Sequence, residues 1–123
     1  MARPAENLDE FALQTLQTMK NVFERPRYQI SIVNQTVNLG KYPGVIRVKF
    51  LCYDCEFDLE IAHSHSYSNK RRRMIGDLRV NVTGANFWRT LRLDPTSPSK
   101  IRRWTVFLCK DLIMAGVKSL MES

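Results

Sequence analysis

Two cysteines and two histidines come closest to a metal-binding pattern in this chain. Cys52 and Cys55 form a C-x-x-C pair, and His63 and His65 follow as an H-x-H pair. Thiolate sulfur and imidazole nitrogen bind zinc at about 2.0–2.3 Å. The first histidine, however, follows the second cysteine by eight residues, or about 27 Å along an extended strand. The four residues are therefore weak zinc candidates. We expect no bound metal or other cofactor, and we expect the histidines to be solvated.

Redox, phosphate-binding and acid–base sites have even less support in the sequence. A redox C-x-x-C pair is typical of a helix N-terminus, where the dipole favours thiolate, whereas this pair falls in a predicted turn. The five glycines do not have the spacing of a phosphate-binding loop. The acids Asp58 and Glu60 are predicted to face cations across a hairpin. We therefore predict no catalytic residue and a protein that is not an enzyme.

Charge is the strongest chemical feature of the sequence. The chain of 123 residues has a formal net charge of +7. Residues 70–103 contain ten cations and two acids, a net charge of +8, so the whole excess lies in this segment. A segregated positive charge is typical of proteins that bind a polyanion, either nucleic acid or an anionic membrane. The alternative is a solvated surface in which the KRRR run is only a nuclear-import signal.

Three parts of this segment are predicted to bind the polyanion. They are the KRRR run, the outward positions of two predicted strands, and the first turn of a C-terminal helix, where cations are otherwise unfavourable. An aromatic side chain on one of these strands could stack on a base. The predicted binding residues are Lys70, Arg71, Arg72, Arg73, Arg79, Trp88, Arg92, Lys100, Arg102 and Arg103.

Hydrophobic periodicity predicts an α+β fold in one domain of residues 1–123. A helix is expected over 7–24, capped at Asn7, and strands are expected over 27–33, 36–39, 77–83 and 87–93. Residues 63–76 are polar and basic, which predicts an exposed loop. The natural packing is an antiparallel sheet of about five short strands with both helices on it.

The best-supported element is a hairpin over residues 45–62. If Tyr53 and Asp54 form a two-residue turn, every pair of residues whose numbers sum to 107 faces across it. Apolar residues then meet apolar residues, as in Phe50–Phe57, and opposite charges meet, as in Lys49–Asp58.

A long helix is predicted over about 98–121, with Ser97 as its N-cap and Pro98 at its first position. It has more apolar surface than one sheet face can bury. This excess predicts a homo-oligomer. The expected contacts are Phe107, Ile113, Val117 and Leu120.

These observations favour a nucleic-acid-binding protein that contacts phosphates, with RNA preferred because no segment resembles a major-groove recognition helix. One alternative is a self-assembling matrix-like protein whose basic face binds anionic lipid, and another is a protein–protein adaptor. A small viral protein would suit these roles. The N-terminus has no hydrophobic signal region, so we expect a cytoplasmic or nuclear location.

Overall fold

The computed structural model describes residues 4–122, with the side chains of 4–7 and 66 excepted. It contains an N-terminal helix, a short 3-10 helix at Pro26–Tyr28, five strands and a C-terminal helix. The elements are α1 (Pro4–Phe23), β1 (Ile30–Asn38), β2 (Val45–Cys52), β3 (Cys55–Ser68), β4 (Arg73–Gly84), β5 (Phe87–Leu93) and α2 (Lys100–Glu122). The strands form one antiparallel sheet in the order β1-β2-β3-β4-β5. This confirms the predicted α+β class, although β3 and β4 are much longer than expected.

The register of the β2–β3 hairpin confirms the prediction at every position. Ile46 pairs with Ile61, Phe50 with Phe57, and Cys52 with Cys55. Tyr53 and Asp54 have φ angles of 50° and 65°, which is the type I′ geometry that matches strand twist. Only the ion pairing differs in detail, because Lys49 reaches the diagonal Glu56 at 3.5 Å.

Both helices pack on one face of the sheet, and the core lies between the two layers. α1 lies over β3 and β4, and α2 runs from β5 to β2. A chain of phenylalanine rings crosses this layer from Phe23 of α1 through Phe50 and Phe57 to Phe87, with centroids 5.2–5.6 Å apart. The other face of the sheet has no helix in residues 4–122, and its strands therefore present their alternate side chains outward.

The helix ends differ slightly from the predictions. α1 begins at Pro4, so Asn7 lies within the helix rather than at its N-cap. α2 begins at Lys100 rather than at Pro98. Asp94 forms an Asx turn before α2, because its Oδ1 accepts hydrogen bonds from the N–H and hydroxyl of Thr96 at 2.8 and 2.7 Å.

The prediction of a loop over 63–76 is wrong. β3 continues to Ser68 and β4 begins at Arg73, and the two strands pair along this whole stretch. β2 and β5 pair only as far as Ala62 and Leu78, so residues 64–77 project beyond them as a two-stranded ribbon with its tip at 69–72. The sequence HSHSYS alternates with the period of a strand, but its polar residues hide that period from a search for apolar alternation.

Candidate nucleic-acid interface

The KRRR run occupies the tip of the ribbon. Lys70, Arg71 and Arg72 lie in the turn and Arg73 begins β4, and all four are exposed. The turn is held locally, because the N–H of Arg71 donates to Oγ of Ser68 at 3.1 Å. Within residues 4–122 no ion pair engages these four side chains. Their charges therefore face solvent at the most protruding point of the sheet.

The carboxylate of Asp94 is influenced by cations from both the ribbon tip and the start of α2. The pKa of its carboxyl is held below the usual value, first by the two hydrogen bonds from Thr96 and then by the charges of Arg71 and Lys100. A carboxylate responds in this way only to charges that lie near it. Arg71 and Lys100 therefore both lie near Asp94, which follows the end of β5 on the side of the sheet where the ribbon projects.

Arg79 and Arg92 are cross-strand partners on the open face of the sheet. Arg92 is partly neutralised, because its Nε lies 3.6 Å from Oδ2 of the buried Asp77. Arg79 is exposed and makes no ion pair within the described residues. This pair continues the positive surface from the base of the ribbon onto the sheet.

Trp88 lies on the same open face and is 63% exposed. It lines a shallow depression together with Arg79, Asn81 and Thr83. The depression also contains acids, Asp58 and Glu60. The depression therefore has both positive and negative side chains next to the Trp88 ring, and it is not part of a uniformly basic face.

The remaining predicted cations of α2 point in two directions. Lys100 and Arg103 border an apolar depression that is lined by Leu91, Trp104 and Phe107. Arg102 lies on the other side of the helix, in a depression shared with α1 that is lined by Thr18, Asn21, Val22 and Arg25. The fold therefore brings the ribbon tip and Lys100 to one end but separates Arg102 from them.

Arg89, an apparent exception to the strand pattern, has a local explanation. It faces the helices with Phe87 and Leu91, and its guanidinium lies 4.5 Å from the centroid of the Phe87 ring. Its Nε donates to Oδ2 of Asp111 in α2 at 3.1 Å. This cation therefore ties α2 to the sheet edge.

The four weak zinc candidates lie at two ends of one strand. Cys52 and Cys55 face each other at the β2–β3 turn, and β3 runs on from there without a break through His63 and His65. Within residues 4–122 no group of three or more His, Cys, Asp or Glu side chains is arranged to hold a metal ion.

The expectation of two solvated histidines is wrong for one of them. The side chain of His63 is fully buried, and its Nε2 lies 2.9 Å from Oδ1 of Asp9. Its Nδ1 accepts the N–H of Gly44 at 2.8 Å, so the ring proton is assigned to Nε2. Asp9 also accepts the N–H of Gly40 through Oδ2 at 2.9 Å. The pair thus fastens α1 to the loop before β2, which is a structural role.

His65 remains exposed and contacts Tyr42, a residue that sequence reasoning did not single out. The Tyr42 hydroxyl hydrogen-bonds to the His65 ring, and the Tyr42 ring stacks on His63. Burial, and then the charge of Asp77, raises the pKa of Tyr42. The tyrosine therefore stays neutral and braces the base of the ribbon. The alternating histidines were the one sequence feature that could have indicated this packing.

The thiols of Cys52 and Cys109 are not poised for reaction. Burial raises the pKa of Cys52 to about 11, and the neighbouring Cys55 adds to this effect. Burial likewise raises the pKa of Cys109 to about 12, with Cys52 raising it further and Arg25 lowering it. Because thiolate is the reactive form, both thiols are held in their unreactive state near neutral pH.

The residues predicted to make oligomer contacts differ in exposure. Phe107, Val117 and Leu120 are exposed, whereas Ile113 is half-buried and packs against the core. Met114 and Met121 of α2 are also exposed, so the second half of the helix presents an apolar surface. Its use as a subunit contact stays a prediction.

Neither described helix has an apolar stretch long enough to cross a bilayer. Comparisons of the chain with protein-family models, with curated proteins and with solved structures found no match.

Proposed function

We propose that this protein binds nucleic acid, with RNA preferred, by neutralising backbone phosphates at the ribbon end of the sheet. The observation that carries the proposal is the run of four exposed cations at the ribbon tip, residues 70–73, which no ion pair engages within residues 4–122. Phosphates bound there would meet the exposed cations of residues 70–73 and the N-terminal end of a 23-residue helix. Neither feature reads base edges, so the affinity would depend little on sequence.

The shape of the ribbon supports this assignment. Two paired strands project for about five residues, or about 17 Å, beyond their neighbours. A two-stranded ribbon fits the major groove of B-DNA, whereas on RNA, whose A-form major groove is deep and narrow, it would follow a single strand. Arg79 and Arg92 at its base would extend the contact onto the sheet, where Trp88 offers an unpaired base a ring to stack on.

The test is fluorescence anisotropy of the full chain with labelled single-stranded and double-stranded RNA over a series of salt concentrations. In the test variant Lys70, Arg71, Arg72 and Arg73 are all changed to alanine. Each lost phosphate contact should lower the logarithmic salt slope by about 0.7 on single strands and about 0.9 on duplexes. For four lost contacts, a fall of about 2.8 units is therefore expected on single-stranded RNA and of about 3.6 units on duplex RNA.

A matched control changes four exposed cations outside the basic segment to alanine: Arg27, Lys41, Lys110 and Lys118. This control loses the same formal charge as the test variant. If binding is local to the ribbon end, its salt slope should stay close to that of the wild type. Equal losses in both variants would mean a general effect of net charge and would contradict the proposed site. A wild-type chain that ignores RNA near physiological salt would exclude RNA, and one that also ignores single-stranded and double-stranded DNA would exclude the function.

A second candidate, binding to anionic lipid, has one specific observation in its favour. Lys100 and Arg103 flank an apolar surface formed by Leu91, Trp104 and the 59% exposed Phe107. Cations beside exposed aromatic side chains are typical of membrane-interface surfaces. Sedimentation with vesicles containing phosphatidylserine tests it, and Phe107→Ala should weaken vesicle binding while leaving RNA binding intact.

A further inference from the structure

The outer edge of β1 has features of a strand-pairing surface. β1 is the first strand of the sheet and pairs only with β2 within the described residues. Its backbone groups that point away from β2 therefore form an open row of donors and acceptors. Its sequence, ISIVNQTVN, contains no charged residue and no proline, and these are two common means of blocking such an edge. The opposite edge strand, β5, has Arg89 and Arg92.

The helix layer leaves β1 uncovered. α1 and α2 pack over β2 to β5, and every residue of β1 after Ile30 is exposed. Ile32 pairs with Phe50 and Val37 with Ile46, both of which are core residues, so both side chains point to the helix side of the sheet. They are 37% and 47% exposed. The apolar layer of the protein thus reaches the edge of the sheet without being closed there.

α1 extends the same apolar surface. Its Asp9 accepts a hydrogen bond from the N–H of Gly40, and its Lys20 donates to Oε1 of Gln35 in β1 at 3.2 Å. Leu13, one turn after Asp9 and two turns before Lys20, lies on the same side of the helix. It is 47% exposed. Leu13, Ile32 and Val37 therefore form one apolar border along the open edge, which we call the β1 border.

We infer that the β1 edge pairs with the β1 edge of a second copy of this chain, which joins two sheets into one of ten strands. A two-fold axis brings identical edges together only in antiparallel orientation. The two β1 borders then meet on the helix side and close the apolar layer that each copy leaves open. Backbone pairing and apolar burial thus occur at the same contact.

Charge favours this surface over the exposed surface around Phe107 of α2. In residues 30–38 there is no ionisable side chain to meet its own copy. The cations of β2 are paired, Arg47 with Glu60 and Lys49 with Glu56, and the amine of Lys20 beside the border donates to Gln35. On α2 the exposed Phe107 has Arg103 and Lys110 one turn away on either side, and the Lys110 amine lies 5.5 Å from the centroid of its ring. A two-fold contact centred on Phe107 would bring such cations together. Like charges that face each other are destabilising.

The arrangement also keeps the basic ends of the two copies apart. The ribbon is formed by β3 and β4, which lie two and three strands from β1, or about 10–14 Å at the usual strand spacing. Pairing at β1 therefore leaves both ribbons exposed. The edges that remain after pairing are the arginine-bearing β5 strands, whose charges oppose further edge-to-edge pairing and so favour a closed pair over an open fibre.

The first test measures the mass of the full chain by sedimentation equilibrium over a range of concentrations. The wild type should approach twice the chain mass, and the variant Ile32→Lys/Val37→Lys should remain at the chain mass. Both positions are exposed, so the variant should keep the wild-type circular dichroism spectrum. The matched control, Met114→Lys/Val117→Lys on the exposed surface of α2, should dimerise like the wild type.

Hydrogen exchange of the wild type supplies a test that needs no variant. The outward amides of residues 31–38 should exchange at least about tenfold more slowly at a high protein concentration than at a low one. A wild-type chain that stays monomeric would overturn the inference, and so would exchange in β1 that does not depend on concentration. Loss of the dimer in the α2 control alone would overturn it too and would assign the contact to α2. The inference would also be overturned if the chain is monomeric and its β1 amides become protected only when an extended peptide of another sequence is added. That result would favour a different protein as the partner.

Discussion

β3 belongs to two hairpins, and they end in opposite ways. The β2–β3 turn at Tyr53 and Asp54 is covered by α2, whose Gly116 approaches so closely that an added Cβ would lie 3.0 Å from Cβ of Tyr53. The β3–β4 turn at residues 69–72 is exposed and basic. The same strand therefore packs against a helix at one end and is exposed to solvent at the other. The difference comes from what packs on each turn rather than from the strand itself.

The largest expected effect is at the covered turn. Gly116→Val places a branched side chain against Tyr53 and against the carbonyl oxygen of Cys52, which lies 3.1 Å from the ideal Cβ position. Overpacking of this kind should lower the free energy of unfolding by about 1–3 kcal/mol, as measured by urea denaturation. Ser119→Val, an exposed change three residues further on, should shift it by less than about 0.5 kcal/mol. Equal effects in both variants would mean that α2 does not dock closely on the turn.

A smaller effect, and of opposite sign, is expected from a change in the backbone of the same turn. Asp54 has a φ angle of 65°, which costs free energy for any residue with a side chain and much less for glycine. Asp54→Gly should therefore raise the free energy of unfolding by up to about 1 kcal/mol. Glu56→Gly, two residues later in β3, should lower it because glycine weakens a strand interior. If both variants were destabilised alike in thermal unfolding, the type I′ assignment would be wrong.

The smallest effect on stability is expected at the ribbon end. The pKa of Asp94 lies below the usual 3.8 because Thr96, Arg71 and Lys100 favour its carboxylate. A lowered folded-state pKa contributes stability above the unfolded-state pKa, and the contribution is lost as the pH falls through the folded value. Wild type should therefore exceed Asp94→Asn in stability at neutral pH, and the difference should shrink below pH 3.8. A difference that does not vary with pH would assign the effect of Asp94 to its Asx turn alone.

The alternation of side chains and the pairing of residues across strands were sufficient to predict the register of the β2–β3 hairpin. Apolar and charged residues there satisfy one register at once, and a one-residue slip would move every side chain to the wrong face. The same rules failed for residues 63–68, where serine alternates with histidine and tyrosine. These strands are held by contacts that are distant in sequence, such as Asp9 with His63 and Tyr42 with His65. Periodicity within a segment contains no information about such contacts.

The sequence by itself determined the fold class, the hairpin register and the concentration of positive charge in residues 70–103, because these depend on residue type and on spacing along the chain. The tertiary structure alone decided which cations lie together. It placed Arg71 and Lys100 near Asp94, turned Arg102 towards α1, directed Arg89 to Asp111 and left the β1 edge open within the described residues. The reason is physical: a side chain's neighbours across the fold depend on how helices cross the sheet, and that crossing is decided by the packing of the whole core.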